Sequence, residues 1–159
     1  MQGPCDIRPV KPGDEMQLLA LIHELAVYEK MADEVVATPE LLSESLFGDE
    51  SACEAVFAHW QGEVVGFALF FRNFSTFVGR PGLYLEDLYV REAHRGRGIG
   101  KTLLLHLAAI ARERGYGRME WSVLDWNQPA IDFYRSLGAQ SMDEWTVFRL
   151  DRKALEALD

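Results

Sequence analysis

Glycines and basic residues alternate in one short segment of the chain, which reads Arg95-Gly96-Arg97-Gly98-Ile99-Gly100-Lys101. Glycine lets the backbone approach a ligand closely, and the free amides at the start of a helix attract phosphate groups. The two arginines and the lysine add positive charge to a chain whose net charge is −9. We therefore predict that this segment, called here the glycine-rich loop, holds a phosphate group.

Two common phosphate-binding motifs do not fit the glycine-rich loop. A P-loop requires a glycine five residues before the glycine of Gly-Lys-Thr, and Arg95 occupies that position. A dinucleotide-binding GxGxxG motif that begins at Gly96 requires a third glycine where Lys101 stands. The alternatives that remain are a different phosphate ligand and a strand-to-helix connection that binds nothing.

The glycine-rich loop lies between a predicted strand and a predicted helix. The strand Leu83–Val90 is expected to place its odd-numbered side chains, Asp87 among them, on one face. Its even-numbered side chains, Glu86 among them, then lie on the other face. The helix that follows the loop is expected to end before Gly115.

Hydrophobic patterning and turn residues predict the other elements. Further strands are expected over Cys5–Val10, Ala55–Trp60, Val64–Arg72, Met119–Leu124 and Trp145–Leu150. Further helices are expected after Gly13-Asp14, from Thr38-Pro39-Glu40, from Asn127 to Gly138 and over residues 152–158, with a looser segment over Asn73–Gly82. Strands interleaved with helices indicate an α/β or α+β sandwich, and residues 1–159 are predicted to form a single domain.

Composition narrows the classes of protein that the chain can represent. A net charge of −9 argues against general binding of nucleic acid, which needs a basic surface. Cys5 and Cys53 form no motif that holds a metal, so no metal site is predicted. No apolar run has the length of a membrane span, and the first eight residues lack the features of a signal peptide. We therefore expect a cytoplasmic protein without membrane or nucleic-acid partners.

Two segments of the chain carry motifs that belong together. The glycine-rich loop matches Arg/Gln-x-x-Gly-x-Gly/Ala, and Asn127–Tyr134 matches Asn-x-x-Ala-x-x-Phe-Tyr. In both segments the sequence resembles the GNAT superfamily of acetyltransferases. The resemblance implies a mixed, mostly antiparallel central sheet that is splayed at a bulge and flanked by helices. It also implies acetyl-CoA as the co-substrate.

The resemblance assigns roles to residues of both segments. The loop amides hold the coenzyme A pyrophosphate, and the preceding strand offers amides to the pantetheine arm and the thioester carbonyl. Tyr134 is the candidate general acid, because a hydroxyl near the sulfur can protonate the departing thiolate; a tyrosine of the core is the alternative. The implied acetyl-CoA-binding residues are Leu88, Tyr89, Val90, Arg95, Gly96, Arg97, Gly98, Ile99, Gly100, Lys101, Asn127, Pro129 and Ala130.

A narrower resemblance concerns the acceptor of the acetyl group. Leu25–Met31, Tyr84–Val90 and Trp126–Pro129 are similar to segments of the spermidine/spermine and thialysine acetyltransferases. In that subgroup the matching residues line the amine channel, and here they are Tyr28, Glu29, Glu86 and Asp87. An alkylammonium needs carboxylates for binding and must lose a proton before it attacks a thioester, and Glu86 is the candidate base.

These observations predict an enzyme that acetylates a primary amine of a small cationic metabolite by direct attack in a ternary complex. The acceptor is expected to be a polyamine, a diamine or a thialysine-like amino acid. The alternatives are acetylation of a protein or peptide and a non-catalytic sensor of acetyl-CoA. The resemblance further implies a homodimer, with possible exchange of the strand predicted at Trp145–Leu150 between subunits.

Overall fold

The computed structural model describes residues 4–158 of the chain. Two compact units divide these residues, the first ending at Ser122 and the second beginning at Val123. The first unit carries the glycine-rich loop and the candidate acceptor residues, and the second carries the Asn127–Tyr134 motif.

A five-stranded sheet forms the centre of the first unit, in the order β1-β2-β3-β4-β5. The strands are β1 (Cys5–Pro9), β2 (Glu54–Trp60), β3 (Glu63–Ser75), β4 (Arg80–Val90) and β5 (Met119–Trp121). Strands β1 to β4 pair antiparallel with their neighbours, and only β5 runs parallel to β4. The prediction of a mixed, mostly antiparallel sheet is therefore confirmed.

Three α-helices accompany this sheet, namely α1 (Glu15–Tyr28), α2 (Pro39–Phe47) and α3 (Ile99–Glu113). Two of them, α2 and α3, begin at residues that favour a helix start. Thr38 caps α2 because its Oγ1 accepts a hydrogen bond of 3.1 Å from the Leu41 amide. Gly98 precedes α3 in a left-handed conformation, with φ of 78°. None of the helices in residues 4–158 is long and apolar enough to cross a membrane.

The hydrophobic core of the first unit joins α1 to the middle of the sheet. Leu18 and Leu21 are fully buried on one side of α1, and they belong to the same core as Phe67 and Tyr89 of the sheet. A separate set of buried side chains lies on α3, which contacts β4. Strand β4 therefore packs against α1 through Tyr89 and also against α3.

The predicted looser segment Asn73–Gly82 is largely a β-hairpin. Strand β3 continues to Ser75 and β4 starts at Arg80, so only residues 76–79 form the turn. The Ser75 hydroxyl accepts a hydrogen bond of 3.2 Å from the Val78 amide and helps to close this turn. Strand β5 is shorter than expected because its pairing with β4 ends at Trp121.

A β-bulge changes the faces of β4. Leu69 pairs with Asp87, but the next residue of β3, Phe70, pairs with Leu85, which leaves Glu86 as the extra residue. Consecutive residues of β3 point to opposite faces, so Asp87 and Leu85 lie on opposite faces of the sheet. The expectation that Asp87 shares a face with Leu83 is therefore wrong, because a regular alternation was assumed across the bulge.

The second unit contains two helices, α4 (Gln128–Ser136) and α5 (Arg152–Glu156). Both were predicted, and both have a side-chain cap: Asn127 accepts from the Ala130 amide and Asp151 accepts from the Ala154 amide. The prediction of a strand over Trp145–Leu150 is wrong. This segment is irregular and largely exposed, and a strand requires a hydrogen-bonded neighbour that residues 123–158 do not supply.

Candidate active site

The second half of β4 has an open edge. Strand β5 pairs with β4 only over Leu83–Leu85, so in the described sheet its pairing stops immediately before Glu86. The backbone polar groups of residues beyond the bulge therefore face a space that no strand of the described sheet fills on this side. The expected splay of the sheet at a bulge is present, and Glu86 marks it.

Backbone contacts show which amides face this open edge. The Arg91 amide donates to the Val65 carbonyl at 2.8 Å, so Arg91 faces β3. The Tyr89 carbonyl also faces β3, because a Cβ atom on Gly66 would lie only 2.5 Å from it. Since backbone groups alternate along a strand, those of Leu88 and Val90 face the open edge. Of the three predicted residues in β4, Tyr89 instead turns its amide to β3 and its ring into the core.

The glycine-rich loop has the shape of an anion-binding turn. Gly96 and Gly98 adopt left-handed φ angles of 82° and 78°, and a Cβ on either would meet no atom within 4 Å. Ile99, Gly100 and Lys101 form the first turn of α3, whose amides have no acceptor within the helix. A phosphate group can therefore approach the loop and the helix start closely, which fits the coenzyme A pyrophosphate.

The two arginines of the loop turn in different directions. The Arg95 guanidinium lies 4.7 Å from the centroid of the Tyr28 ring, and its Nε donates to the Val90 carbonyl at 2.9 Å. The Arg97 guanidinium lies 5.1 Å from the Trp60 ring. Cations over aromatic faces are attracted by the electron density of the ring. Lys101 is exposed at the start of α3.

Three carboxylates form an acidic cluster, which consists of Glu29, Glu86 and Asp87. Burial, the charge of Glu86 and the charge of Glu29 raise the pKa of Asp87 from its ordinary 3.8 to about 7. Burial and the charge of Glu86 also raise the pKa of Glu29. Mutual repulsion of this kind requires the groups to lie near one another, so helix α1 and the bulge bring together residues that are far apart in the chain.

The bulge accounts for how two adjacent carboxylates meet the same third one. On a regular strand Glu86 and Asp87 would point to opposite faces. Here Asp87 pairs with Leu69, whose side chain lies on the α1 side of the sheet, and Glu86 is the extra residue of the bulge, so the regular alternation does not hold between them. Among residues 4–158, no group of three or more His, Cys, Asp or Glu side chains is arranged to hold a metal ion.

Sequence reasoning missed Glu24, which ties α1 to the open half of β4. Its carboxylate accepts from Arg91 at Nε and Nη2, both at 3.1 Å, and from the Tyr89 hydroxyl at 3.4 Å. Burial and the charge of Glu24 raise the pKa of Tyr89. The available signal was its spacing, because Glu24 precedes Tyr28 by four residues and so shares its side of the helix.

The remaining predicted residues lie in the second unit, where α4 carries them. Asn127 is only 9% exposed and caps the helix, while Pro129 occupies its first turn. The amide of Ala130 is used by that cap at 3.4 Å. The Tyr134 ring lies 5.6 Å from that of Phe133 and is half-buried. Local capping therefore explains why this motif begins a helix at Asn127.

Comparison with known proteins identifies the class to which this fold and site belong. The sequence pattern of the Acetyltransferase (GNAT) family matches residues 19–139, and the chain belongs to that family. Members of the family use acetyl-CoA as co-substrate. The chain is 39% identical over 163 residues to the thialysine N-epsilon-acetyltransferase of Bos taurus, covering 96% of this chain and 95% of that protein.

Two further proteins extend the comparison. The chain is 48% identical over 96 residues to L-ornithine N5-acetyltransferase of Arabidopsis thaliana, covering 60% of this chain and 42% of that protein. Among solved structures, an integron cassette protein from V. cholerae superimposes with a TM-score of 0.81 at 28% identity. That match covers 98% of this chain and 97% of the other. The predicted enzyme class, a GNAT-type N-acetyltransferase, is confirmed.

Proposed function

We propose that this acetyltransferase modifies a primary amine of a small cationic metabolite, namely a polyamine, a diamine or a thialysine-like amino acid, by direct attack in a ternary complex. The acidic cluster of Glu29, Glu86 and Asp87 carries this proposal. It lies beside the bulge at which the open edge of β4 begins. Relatives named for thialysine and L-ornithine support an amine as the acceptor.

The acidic cluster suits a cationic acceptor for an electrostatic reason. Ionising all three carboxylates is unfavourable because their negative charges repel one another. The raised pKa of Asp87 reflects this repulsion together with burial. An ammonium group placed among them relieves the repulsion and favours the charged form. Tyr28, the residue before Glu29, adds an aromatic face at the same end of α1. We therefore assign Tyr28, Glu29, Glu86 and Asp87 to acceptor binding.

The proposed reaction begins with the transfer of a proton from the acceptor ammonium to Glu86, directly or through water. The neutral amine then attacks the thioester carbonyl carbon, and a C–N bond forms. An amide of the open edge, from Leu88 or Val90, stabilises the negative charge that develops on the carbonyl oxygen. Collapse breaks the C–S bond; the nitrogen loses its remaining excess proton to solvent, and the departing sulfur takes a proton from Tyr134.

A thiol-release assay with acetyl-CoA tests the proposed acceptor class. The panel contains polyamines, diamines, lysine analogues, aminoglycosides and short peptides, all at the same concentration and pH. We expect small amines with a second cationic group to react with the highest kcat/KM. Turnover of peptides alone would overturn the small-amine proposal. Turnover of no acceptor, together with tight binding of acetyl-CoA, would favour a sensor of acetyl-CoA.

The role of Tyr134 has its own test, which also separates an enzyme from a sensor. Tyr134→Phe keeps the aromatic ring and removes only the hydroxyl. As a general acid, Tyr134 should contribute a factor of about 100 to kcat, while acetyl-CoA binding should stay within about twofold of wild type. The leaving-group role is contradicted if kcat is unchanged when the chemical step is rate-limiting.

Two proposals concern the whole chain. We propose that residues 1–159 act as one catalytic domain, which is supported by a family match that continues across Ser122 and Val123.

We also propose a homodimer. An exposed apolar segment supports it, since Trp145, Val147 and Phe148 are 75%, 81% and 92% exposed. Light scattering of wild type and of a Trp145→Ser/Phe148→Ser variant tests it, with a monomer expected only for the variant.

The location and the remaining partners stay predictions. We propose a cytoplasmic enzyme without nucleic-acid or membrane partners and without a bound metal. The net charge of −9 supports the part that concerns nucleic acid, because an acidic surface repels phosphate backbones. Chelator treatment that leaves kcat unchanged is the expected result for catalysis without a metal.

A further inference from the structure

Arg95 contacts both the donor side and the acceptor side of the proposed reaction. Its backbone belongs to the glycine-rich loop, while its Nε donates to the Val90 carbonyl on the open edge at 2.9 Å. Its guanidinium lies 4.7 Å from the Tyr28 ring centroid and 5.7 Å from that of Tyr89. One side chain therefore connects the predicted phosphate site, the edge of β4 and the end of α1.

The end of α1 carries the side chains that Arg95 reaches. Lys30, directly after Glu29, adopts a left-handed φ of 62°, a conformation that is costly for a residue with a Cβ atom. The Met31 amide returns to the Ala26 carbonyl at 2.8 Å and closes this strained turn. Glu29, a member of the acidic cluster, thus sits between this turn and Tyr28, the ring that the Arg95 guanidinium covers.

Arg97 provides an internal comparison. It belongs to the same loop and also lies over an aromatic ring, that of Trp60 at 5.1 Å. Trp60 ends β2, a strand that carries no residue of the acidic cluster. The two arginines therefore have similar chemistry, but only Arg95 reaches the segment that holds an acceptor carboxylate.

We propose that Arg95 is a positioning residue that couples the binding of acetyl-CoA to the binding of the amine, an inference that rests on the proposed function. A phosphate bound by the loop amides fixes the backbone of Arg95. The stacked guanidinium then holds Tyr28, and with it Glu29, in place opposite Glu86. Without the phosphate, the amine must itself order the loop and the contact between Arg95 and Tyr28, so it binds more weakly.

Calorimetric titration of L-thialysine and spermidine, with and without saturating coenzyme A, tests this coupling. In wild type we expect the amine Kd to fall about tenfold when coenzyme A is present. Arg95→Lys keeps the charge but loses the planar group, and Tyr28→Leu loses the ring. Both should reduce the effect to about twofold or less. Tyr28→Phe keeps the ring and should preserve the tenfold effect.

Two controls separate coupling from general damage. Arg97→Lys should weaken coenzyme A binding yet leave the ratio of the two amine Kd values as in wild type. Combining Arg95→Lys with Tyr28→Leu should cost no more coupling than either change alone, because both break the same contact. A circular dichroism melt of each variant checks that the fold is intact.

The outcomes distinguish this inference from the proposed function. Suppose that wild type acetylates amines. The coupling is overturned, and the function stands, if Arg95→Lys keeps the wild-type ratio of the amine Kd without coenzyme A to that with it. The same holds if this ratio does not exceed one in wild type. Equal loss of coupling in Arg97→Lys also overturns it, since the effect would then belong to the loop as a whole. If wild type acetylates no amine, both proposals fall.

Discussion

The two halves of β4 both pair with β3 on one side, but only the first half also pairs with β5 on the other side. Residues 80–85 lie beside β3, and within them Leu83–Leu85 also pair with β5. Residues 86–90 keep β3 but lie beyond the end of the β5 pairing. The first half buries Leu83 and Leu85, whereas the second begins with Glu86 and Asp87. One extra residue thus separates a strand that supports the fold from an edge suited to binding.

The largest expected effect follows from removing the candidate base of the open half. Glu86→Gln should lower kcat for the preferred amine by about 100-fold or more, because general-base catalysis contributes that much. Acetyl-CoA binding, measured by calorimetry, should change little. Glu120→Gln is the matched control beside the paired half, where that carboxylate only accepts from Arg118 at 3.1 Å. Activity of Glu86→Gln within threefold of wild type would remove Glu86 from the mechanism.

Two proline variants test the directions in which the backbone amides of Leu88 and Tyr89 point. Leu88→Pro removes an amide that faces the open edge, so the protein should stay folded while kcat/KM for acetyl-CoA falls about 10- to 100-fold. Tyr89→Pro removes an amide that faces β3 together with the buried Tyr89 ring, so it should lower the free energy of unfolding by about 3 kcal/mol more than Tyr89→Ala, which removes the ring alone. Thiol release and denaturant melts measure the two effects. Unfolding of both variants to the same extent would contradict the assigned alternation.

Substitutions at Gly66 and Gly82 compare how tightly the backbone packs in the two halves of β4. A Cβ on Gly66 would lie 2.5 Å from the Tyr89 carbonyl oxygen, so Gly66→Ala must push β3 and β4 apart. We expect it to lower the free energy of unfolding by about 2–3 kcal/mol. In the paired half, a Cβ on Gly82 would lie 2.7 Å from the Asn73 side chain, which can rotate away, and 3.0 Å from the Arg118 carbonyl oxygen, a looser backbone contact than the one at Gly66. Gly82→Ala should therefore cost less in the same denaturant titration, and the reverse order would refute this reading of the contacts.

The smallest expected effect is a pH dependence due to Asp87. Its pKa is raised to about 7 in the folded protein, so binding of a proton to Asp87 favours the folded state. This contribution to the free energy of unfolding is fully present below the ordinary pKa of 3.8. That contribution is lost as the pH rises towards 7. Asp87→Asn should be more stable than wild type at about pH 8, by about 1–3 kcal/mol, and nearly equal to it near pH 4. Thermal melts across this range provide the measurement.

The same ionisation should appear in amine binding with the opposite sign. A cationic acceptor prefers ionised Asp87, so the wild-type amine KM should fall severalfold between about pH 6 and pH 8. Asp87→Asn should lack this step while keeping any contribution from the titration of the amine itself. An unchanged pH profile in the variant would show that another group is responsible.

Local signals explain what the sequence could predict. The glycine-rich loop, the caps at Thr38 and Asn127 and the helix that begins at Ile99 depend on residues close together in the chain. Those elements lie where the sequence placed them. The acidic cluster was predicted only through resemblance, because Glu29 and Glu86 come from elements far apart in the sequence.

Errors arose where structure depends on a partner strand. Trp145–Leu150 has side chains typical of a strand, yet no strand of residues 123–158 lies beside it. The faces of β4 could not be read either, because the bulge at Glu86 is visible only in the pairing with Leu69 and Phe70. Glu24 and Arg91 likewise have no motif, and only the fold brings them together.

The bulge at Glu86 also constrains how this protein can evolve. Deleting Glu86 would make the pairs Leu69–Asp87 and Phe70–Leu85 successive, so the pairing would become regular and Tyr89 would stay in the core that it shares with Phe67. The same deletion would remove Glu86 from the acidic cluster while Asp87 kept its place opposite Leu69. A lineage that lost this residue would thus keep a regular sheet and lose the candidate base in one mutational event, so selection for folding alone would not preserve the bulge.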